Sequence, residues 1–324
     1  MSPAVLGAGS WGTTLAGLLA SKGEKVYLWA RNPASAEYMQ AERHNPKYLP
    51  DYQFPPTLQV TSNLQEALSG QQLVIHAVPS HATREFAKEY AKYLAPDAVV
   101  VSATKGLEYG THKRMSEVIH EATNHPVAAL SGPNHAEEVS AMQPTAAVIA
   151  HPDANLAEQV SRAFSTSRFK AYPRTDLVGT EVCGAYKNVV ALSTGMVDGL
   201  GWGDNALACL VTLGMDEMVA LTRALGGDPR TVSGLAGVGD LVATCASQHS
   251  RNRRYGRELA LGTPPEAIKR KMHGMVAEGV YAVKSFRQFA QEEKIELPLT
   301  RVVHAIVYEG LTVGQGVEML LARI

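Results

Sequence analysis

The stretch Gly7-Ala8-Gly9-Ser10-Trp11-Gly12 decides the fold of this chain. It follows the apolar run 4–6 and leads into residues 13–20, where leucines recur at helical spacing. A strand, a glycine-rich turn and a helix in this order are the fingerprint of a dinucleotide-binding unit. The first glycine makes the tight turn, the second lets the pyrophosphate approach the backbone, and the third lets the helix pack on the strand. The pattern therefore predicts cofactor contacts at Gly7, Gly9 and Gly12, and an ordinary βα turn is the alternative.

The residue after the second predicted strand bears on the choice between NAD and NADP. In this fold an Asp or Glu about 20 residues beyond the glycines binds the ribose hydroxyls of NAD. Arg31 stands at that place here, within 30–32. A guanidinium pairs with the extra phosphate of NADP, which a carboxylate would repel. The sequence therefore predicts NADP or NAD as cofactor, with NADPH used at least as well as NADH. A solvated loop arginine is the alternative.

Composition and charge bound the class of protein. The chain has 324 residues, of which 45% are hydrophobic and 19% charged, and its net charge is −1. Two domains are more natural than one at this length. The near-zero charge argues against a nucleic-acid partner and against a membrane-surface protein. Asp198 and Asp204 interrupt the most apolar region, so we predict a soluble protein with no membrane-spanning segment.

Cysteine and histidine usage predicts neither disulfides nor a metal site. The three cysteines form no CxxC pair and fit a reducing compartment, with buried thiols as the default interpretation. The histidines show no HxxxH or HExxH spacing. The cysteines are Cys183, Cys209 and Cys245.

The alternation of predicted strands and helices describes a doubly wound α/β sheet up to about residue 180. The apolar runs 73–78, 98–104 and 127–130 predict buried parallel strands, and His76 within the first run is predicted to be a core residue. The proline-rich residues 45–56 predict a loop without regular structure. Long helical segments then dominate. We therefore predict a Rossmann-type NAD(P)-binding domain over 1–180 and an all-α substrate-binding domain over 181–324.

Two predicted strands are followed by residues suited to ligand binding. Lys105 comes directly after the strand that ends near Thr104, and Gly132-Pro133 follows the strand 127–130. In open α/β sheets, ligands bind beyond the carboxyl ends of the strands. Lys105 and Gly132 are therefore predicted to face cofactor or substrate, and a surface lysine on a loop is the alternative for Lys105.

Candidate catalytic groups lie in the second half. Lys187 stands on a predicted helix whose neighbours 189–192 are apolar, and a buried ammonium needs a partner. Asp240, in the glycine-rich stretch 234–241, is the candidate partner, although a surface-facing lysine stays open. Ser250, Arg251 and Asn252 supply a hydroxyl, a guanidinium fork and an amide, a donor set suited to a phosphate monoester.

With these motifs the chain resembles the bacterial-type NAD(P)-dependent glycerol-3-phosphate dehydrogenases from end to end. The shared stretches are GAGSWGT at 7–13, VPSHA at 78–82, ATKGLE at 103–108, SGP at 131–133, KNVVAL at 187–192, GLAGVGDLVATC at 234–245, SRNRRYG at 250–256 and AEG at 277–279. The resemblance implies a lysine general acid/base at Lys187, oriented by Asp240. The substrate contacts it implies are Lys105, Gly132, Asn134, Lys187, Asp240, Ser250, Arg251 and Asn252. The further cofactor contacts it implies are Ser10, Trp11, Arg31, Tyr48, Lys105, Ala136, Arg251, Val276 and Glu278.

The same resemblance implies the activity. We expect reversible hydride transfer between NAD(P)H and dihydroxyacetone phosphate, giving sn-glycerol 3-phosphate for phospholipid synthesis. The protein is expected in the cytoplasm, without stable membrane insertion. A homodimer is compatible with the family. Asn134-His135 departs from the family pattern of Ser or Thr followed by Phe, and Leu207 and Leu213 occupy positions that are often basic. Two other functions stay open: a non-catalytic NADPH sensor, and a dehydrogenase whose hydroxy-acid substrate places a carboxylate at Arg251.

Overall fold

A computed structural model describes residues 2–248, 250–272 and 277–322. The chain divides into two compact units: Met1–Thr104 with Met115–Leu177, and Lys105–Arg114 with Val178–Ile324. The sequence placed residues 105–114 in the first domain. In the structure they belong to the second unit, because Leu107 packs into the core of that unit.

The first unit is built on an eight-stranded sheet in the order β10-β9-β8-β7-β6-β1-β2-β5. All neighbouring strands are parallel except the antiparallel pair β8 and β9. The strand order reverses beside β1, which pairs with β2 on one side and β6 on the other. This confirms the predicted doubly wound sheet and puts the glycine-rich turn at its switch point. The strands are β1 Pro3–Leu6, β2 Val26–Trp29, β5 Leu58–Thr61, β6 Leu73–His76, β7 Val99–Ser102, β8 Val127–Ser131, β9 Thr145–Ala150 and β10 Phe169–Arg174.

Helices cover both faces of this sheet, which explains why its strands are apolar runs without alternation. Ile75 packs into one core cluster with Leu15 of α1, while the adjacent Val74 points into another with Tyr90 of α4. His76, at the end of β6, is fully buried as predicted, and its Nε2 lies 3.3 Å from Thr83 Oγ1. The helices are α1 Ser10–Ala20, α2 Pro33–Glu42, α3 Leu64–Leu68, α4 Thr83–Ala91, α5 Met115–Thr123, α6 Ala136–Ser140 and α7 Ala154–Phe164.

The predicted loop over 45–56 is wrong in part, because the chain forms a small antiparallel ribbon there. Strand β3, His44–Asn45, pairs with β4, Leu49–Gln53. Pro50 is tolerated in this ribbon because proline can occupy an edge strand. Arg43 adopts a left-handed conformation with φ 58°, and its guanidinium donates to the carbonyls of Pro55 and Leu58 at 2.7 Å each.

The second unit is helical, apart from a short bridge between Leu107 and Arg114. Its central helix, α8, is buried from Gly179 to Val197. Small residues let its neighbours approach closely: a Cβ on Gly256 of α11 would lie 2.0 Å from the carbonyl oxygen of Leu192 in α8. The α-helices are α8 Leu177–Gly199, α9 Asp204–Ala224, α10 Asp240–Ala246, α11 Arg251–Ala260, α12 Pro265–Lys271, α13 Glu278–Glu292, α14 Pro298–Tyr308 and α15 Val313–Leu321.

Helix α9 is long and apolar enough to meet the length and composition criterion for a membrane span, with a mean hydropathy of 1.3 over its most apolar window. Asp216 and Glu217 interrupt its apolar sequence, so it is not an uninterrupted apolar stretch, and it does not contradict the prediction. Glu217, in the second half of α9, is buried and accepts hydrogen bonds from the backbone of Leu299 and Thr300 and from the hydroxyl of Tyr186. These bonds join α9 to α8 and to the first turn of α14, as in the core of a helical domain.

Candidate active site

The three glycines of the turn after β1 have different environments. Gly7 has a φ of +115°, and a Cβ there would lie 2.5 Å from the carbonyl oxygen of Ala77. A Cβ on Gly12 would lie 1.9 Å from the carbonyl oxygen of Gly7, whereas a Cβ on Gly9 would meet nothing within 4 Å. Packing thus requires glycine at the first and third positions. At the second position the backbone is open to a ligand, as the approach of a pyrophosphate requires.

The start of α1 is suited to an anion. Gly9 is the N-cap and supplies no side-chain hydrogen bond, and the first turn contains no acidic residue. Ser10 and Trp11 therefore begin the helix with amides available to a phosphate at the positive end of the helix dipole. The indole Nε1 of Trp11 is buried and has no hydrogen-bond partner within the described part of the chain. The turn and helix start fit a dinucleotide, whose pyrophosphate Gly9, Ser10 and Trp11 would hold.

Two of the other predicted cofactor positions are connected to the first turns of α1 by hydrogen bonds, Ala136 directly and Tyr48 through Asn45. Ala136, the first residue of α6, accepts a hydrogen bond at its carbonyl from Thr14 Oγ1 of α1 at 3.2 Å. Tyr48 lies in the β3–β4 ribbon, and its backbone nitrogen donates to Asn45 Oδ1 at 3.3 Å. Arg31 is exposed two residues after the end of β2.

The predicted substrate residues of the first unit follow β8. Gly132 is buried with a φ of +129°, and a Cβ there would lie 3.0 Å from Ala147 Cα. Asn134 is half-buried two residues later, just before α6. Any side chain at Gly132 would thus be strained by its φ and crowded by β9.

In the second unit, Lys187 and Lys105 converge on one carboxylate. Asp240 Oδ1 accepts a hydrogen bond from the ammonium of Lys187, and Oδ2 accepts one from Lys105 Nζ at 2.7 Å. Lys187 also donates to Thr244 Oγ1 at 2.6 Å. Asp240 is 1% exposed and Lys187 is 7% exposed. The ammonium of Lys187 is therefore fixed in a largely dehydrated position.

Burial and the neighbouring charges set the pKa of Lys187. Burial lowers the pKa of Lys187 and Lys105 lowers it further, while Asp240 raises it, so that it falls from 10.5 to about 8. Burial alone would raise the pKa of Asp240, but the two ammonium groups hold it below its ordinary value. Two ammonium groups thus face one carboxylate. A lysine with a pKa of about 8 can both donate and accept a proton near neutral pH.

Residues 105–114, here named the Lys105 strap, carry Lys105 to this cluster. Leu107 packs in the helical core, and its carbonyl accepts a hydrogen bond from Ser285 Oγ at 3.4 Å. At the far end Arg114 pairs with the buried Glu181 of α8 at 2.7 Å. The sequence predicted Lys105 at the edge of the sheet. In the structure Lys105 lies three residues after the end of β7, and the rest of the strap is anchored to helices α8 and α13.

The predicted phosphate-binding residues lie at the start of α11. Ser250 caps that helix by accepting from Arg253 N at 3.2 Å, and Arg251, its first residue, is exposed. Asn252 is buried: its Nδ2 donates to Asn188 Oδ1 at 2.8 Å, and its Oδ1 accepts from Gly279 N at 2.9 Å. Asn252 thus connects the residue after Lys187 with the start of α13.

Not every predicted contact can be placed, and two neighbours of the lysine were not predicted. Val276 lies outside the described residues, and Glu278 is the half-buried first residue of α13. Thr244 was missed, although it stands one helical turn after Asp240 and therefore shares its face of α10. Asn188, next to Lys187 in sequence, was not predicted to pair with Asn252 because nothing in the sequence relates α8 to α11.

Comparison with known proteins decides the family. The profile of the NAD-dependent glycerol-3-phosphate dehydrogenase N-terminus matches residues 3–157, and that of the C-terminus matches residues 176–318. The chain belongs to the NAD-dependent glycerol-3-phosphate dehydrogenase family. It is 47% identical over 327 residues to the glycerol-3-phosphate dehydrogenase (NAD(P)+) of Chlorobium limicola, covering 100% of this chain and 98% of that protein. It is also 47% identical to the enzyme of that name from Nocardia farcinica, with 99% and 97% covered.

Solved structures of glycerol-3-phosphate dehydrogenases share the fold. The crystal structure of the Coxiella burnetii enzyme superposes with a TM-score of 0.95 at 39% identity, covering 99% of this chain and 98% of that one. The Saccharomyces cerevisiae glycerol-3-phosphate dehydrogenase gives a TM-score of 0.85 at 26% identity, with 99% of each chain covered. The matches extend over both units of the chain.

Proposed function

We propose that this protein is an NAD(P)-dependent sn-glycerol-3-phosphate dehydrogenase that interconverts dihydroxyacetone phosphate and sn-glycerol 3-phosphate. The observation that carries the proposal is the buried ammonium of Lys187 between Asp240 and Thr244, in a chain of this family. Bound NAD(P)H would supply the hydride that reduces the C2 carbonyl. The glycine-rich turn of the first unit fits that cofactor.

Lys187 is the proposed general acid/base. When C2 receives the hydride, negative charge develops on its oxygen, and the ammonium of Lys187 donates a proton to that oxygen. In the oxidation direction the neutral amine takes the proton back from the hydroxyl. Asp240 and Thr244 accept hydrogen bonds from the ammonium, so they orient the proton donor without using the proton that is transferred. The positive charge of the Lys187 ammonium also favours the alkoxide-like transition state.

The substrate phosphate is assigned to the start of α11. The exposed guanidinium of Arg251 can bind a phosphate with two parallel hydrogen bonds. Ser250 and Asn252 already have hydrogen bonds within the protein, so their first contribution is to fix the start of α11 and its contact with α8. Lys105, Gly132 and Asn134 complete the proposed substrate set.

A substrate comparison tests the proposal against its alternatives. NADPH oxidation is followed by absorbance with dihydroxyacetone phosphate, with dihydroxyacetone and with small keto acids. Turnover of the phosphorylated ketone alone, or far better than the others, supports the proposal. Preference for a keto acid would show a different hydroxy-acid dehydrogenase, and NADPH binding without turnover of any of them would show a sensor.

Assembly and cellular role are part of the same proposal. A homodimer, a cytoplasmic location and the supply of sn-glycerol 3-phosphate to phospholipid synthesis are consistent with the family to which the chain belongs. Light scattering after size-exclusion chromatography distinguishes a dimer from a monomer of 34.7 kDa.

A further inference from the structure

Asn45 of the β3–β4 ribbon connects three segments that the proposed cofactor site uses. Its Nδ2 donates to the carbonyl oxygen of Ala8 at 3.0 Å and to Thr13 Oγ1 at 2.9 Å. Its Oδ1 accepts from the backbone nitrogen of Tyr48 at 3.3 Å. The side chain therefore joins the middle of the glycine-rich turn, the first turn of α1 and the loop that carries Tyr48. Asn45 is 2% exposed, so its side chain is shielded from bulk solvent.

The contact with Ala8 determines which way one peptide group faces. A trans peptide places the carbonyl of Ala8 and the N–H of Gly9 on opposite sides of the same plane. Because Asn45 holds the carbonyl on its own side, the Gly9 N–H is directed away from the ribbon. Gly9, on one side of this peptide, has no Cβ and so leaves the orientation of the peptide less restricted in the absence of such a contact. The backbone of Gly9 is the part of the turn that is open to a ligand.

The ribbon that carries Asn45 is itself seated against α1. A Cβ on Gly17 would lie 2.1 Å from the hydroxyl oxygen of Tyr52, so the ribbon reaches the helix backbone at a second point. Asparagine suits position 45 because its amide supplies two donor hydrogens and an acceptor at once. An aspartate would keep the acceptor for Tyr48 but would put a carboxylate against the carbonyl of Ala8.

We propose that Asn45 is a positioning residue for the dinucleotide: it orients the Ala8–Gly9 peptide and the Tyr48 loop so that both can bind the cofactor. This inference rests on the proposed function, because it takes the glycine-rich turn as the site of NADPH. It assigns the β3–β4 ribbon a part in cofactor affinity and no part in the proton transfer at Lys187.

The test compares Asn45→Ala and Asn45→Asp with a matched control, Asn63→Ala. Asn63 caps α3 in the same unit by accepting from Glu66 N at 3.2 Å, so its loss removes a hydrogen bond without touching the turn. The Kd for NADPH is measured by the change in NADPH fluorescence, and thermal unfolding is recorded for each variant. We expect a Kd roughly 10-fold higher for Asn45→Ala, since the three hydrogen bonds of the Asn45 side chain that order the site are lost. We expect at least that increase for Asn45→Asp and a parental Kd for Asn63→Ala.

Steady-state kinetics distinguishes a loss of cofactor positioning from a general loss of structure. The KM for NADPH should rise with the Kd in both Asn45 variants, while kcat at saturating NADPH stays within about twofold of the parent, because the contact is made equally in ground and transition states. A parental Kd in Asn45→Ala, or a loss of affinity that Asn63→Ala shares, overturns the inference. The proposed function is tested on the parent protein alone. A parent that binds NADPH but does not reduce dihydroxyacetone phosphate overturns the proposed function. The role of Asn45 is then still decided by the ratio of the NADPH Kd of Asn45→Ala to that of the parent.

Discussion

Asp240→Asn tests how the charge of one carboxylate sets the acidity of Lys187. The substitution keeps the shape of the side chain and removes its charge. Lys105 lies 2.7 Å from Asp240, and Lys187 contacts the other carboxylate oxygen. For the Lys187 contact, at a hydrogen-bond distance of about 2.8 Å and an effective dielectric constant of about 20, two unit charges attract by about 6 kcal/mol, equivalent to roughly four pKa units. The amide dipole of the asparagine and local relaxation would compensate for part of the lost attraction. We therefore take about half of it, roughly two pKa units, as the net fall in the pKa of Lys187.

The pH profile of ketone reduction reports the change. Reduction needs the protonated lysine, so the parental kcat should fall as the pH rises through about 8, the pKa of Lys187. In Asp240→Asn the same fall should occur roughly two pH units lower, because a neutral neighbour no longer stabilises the ammonium. At pH 8 the variant should therefore be roughly 50-fold slower than the parent and should recover most of this deficit below about pH 6.

Lys105→Met is a control in which the pKa of Lys187 should shift in the opposite direction. It removes a cation that lowers the pKa of Lys187, so its inflection should move to higher pH. Circular dichroism and thermal unfolding show whether each variant is folded at each pH. An equal loss of kcat in Asp240→Asn at every pH between about 5.5 and 9 would refute the reasoning, since the carboxylate would then act by some route other than the acidity of Lys187.

Four further predictions concern other groups. Lys187→Ala should reduce kcat roughly 10²–10⁴-fold with little change in the Kd for NADPH, and near-parental turnover would exclude it as the proton donor. Arg251→Ala should lower kcat/KM for dihydroxyacetone phosphate by about 2–4 kcal/mol of transition-state binding and affect dihydroxyacetone far less; equal losses would indicate a structural role. Arg31→Asp should raise the KM for NADPH relative to that for NADH, whereas unchanged selectivity would make Arg31 a solvated loop residue. Burial lowers the pKa of His76 from 6.5 to about 3, so below pH 6.5 the unfolded chain binds a proton that the folded chain does not. The free energy of unfolding should therefore fall by about 2 kcal/mol more between pH 8 and pH 5 in the parent than in His76→Asn, as measured by urea denaturation.

Local pattern was enough to predict most of the fold. The glycine-rich turn, the apolar strands and the long helices depend on neighbouring residues, and the structure contains each of them. The β3–β4 ribbon was missed because prolines near 50 and 55 indicate a break, while what holds the ribbon is Asn45 and Tyr52 contacting α1. Such contacts join residues that are distant in sequence and leave no periodic signal.

The candidate site, too, could be predicted only where it depends on residues that are close in sequence or on a general requirement for a counter-charge. The pairing of Lys187 with Asp240 could be anticipated because a lysine among apolar residues needs a counter-charge. The position of Lys105 could not, since it depends on Arg114 meeting Glu181 and on Leu107 entering a core formed by helices that come later in the chain. The roles of Asn188 and Thr244 likewise follow from which helices pack together.

The Lys105 strap also limits how the protein can be divided. The chain passes from one compact unit to the other after residues 104, 114 and 177, so no single cut yields two self-sufficient pieces. A fragment beginning at residue 178 would contain Lys187 and Asp240, but it would lack Lys105 and would separate Glu181 from the guanidinium of Arg114. Expressed alone, such a fragment would keep the contact between Asp240 and Lys187 but would lose those of Asp240 with Lys105 and of Glu181 with Arg114. The second unit therefore depends on residues 105–114, which lie within the sequence of the first. A recombinant of two relatives joined at residue 177 would combine the Lys105 strap of one parent with the helices of the other, so we expect its function to depend on how well the strap fits those helices.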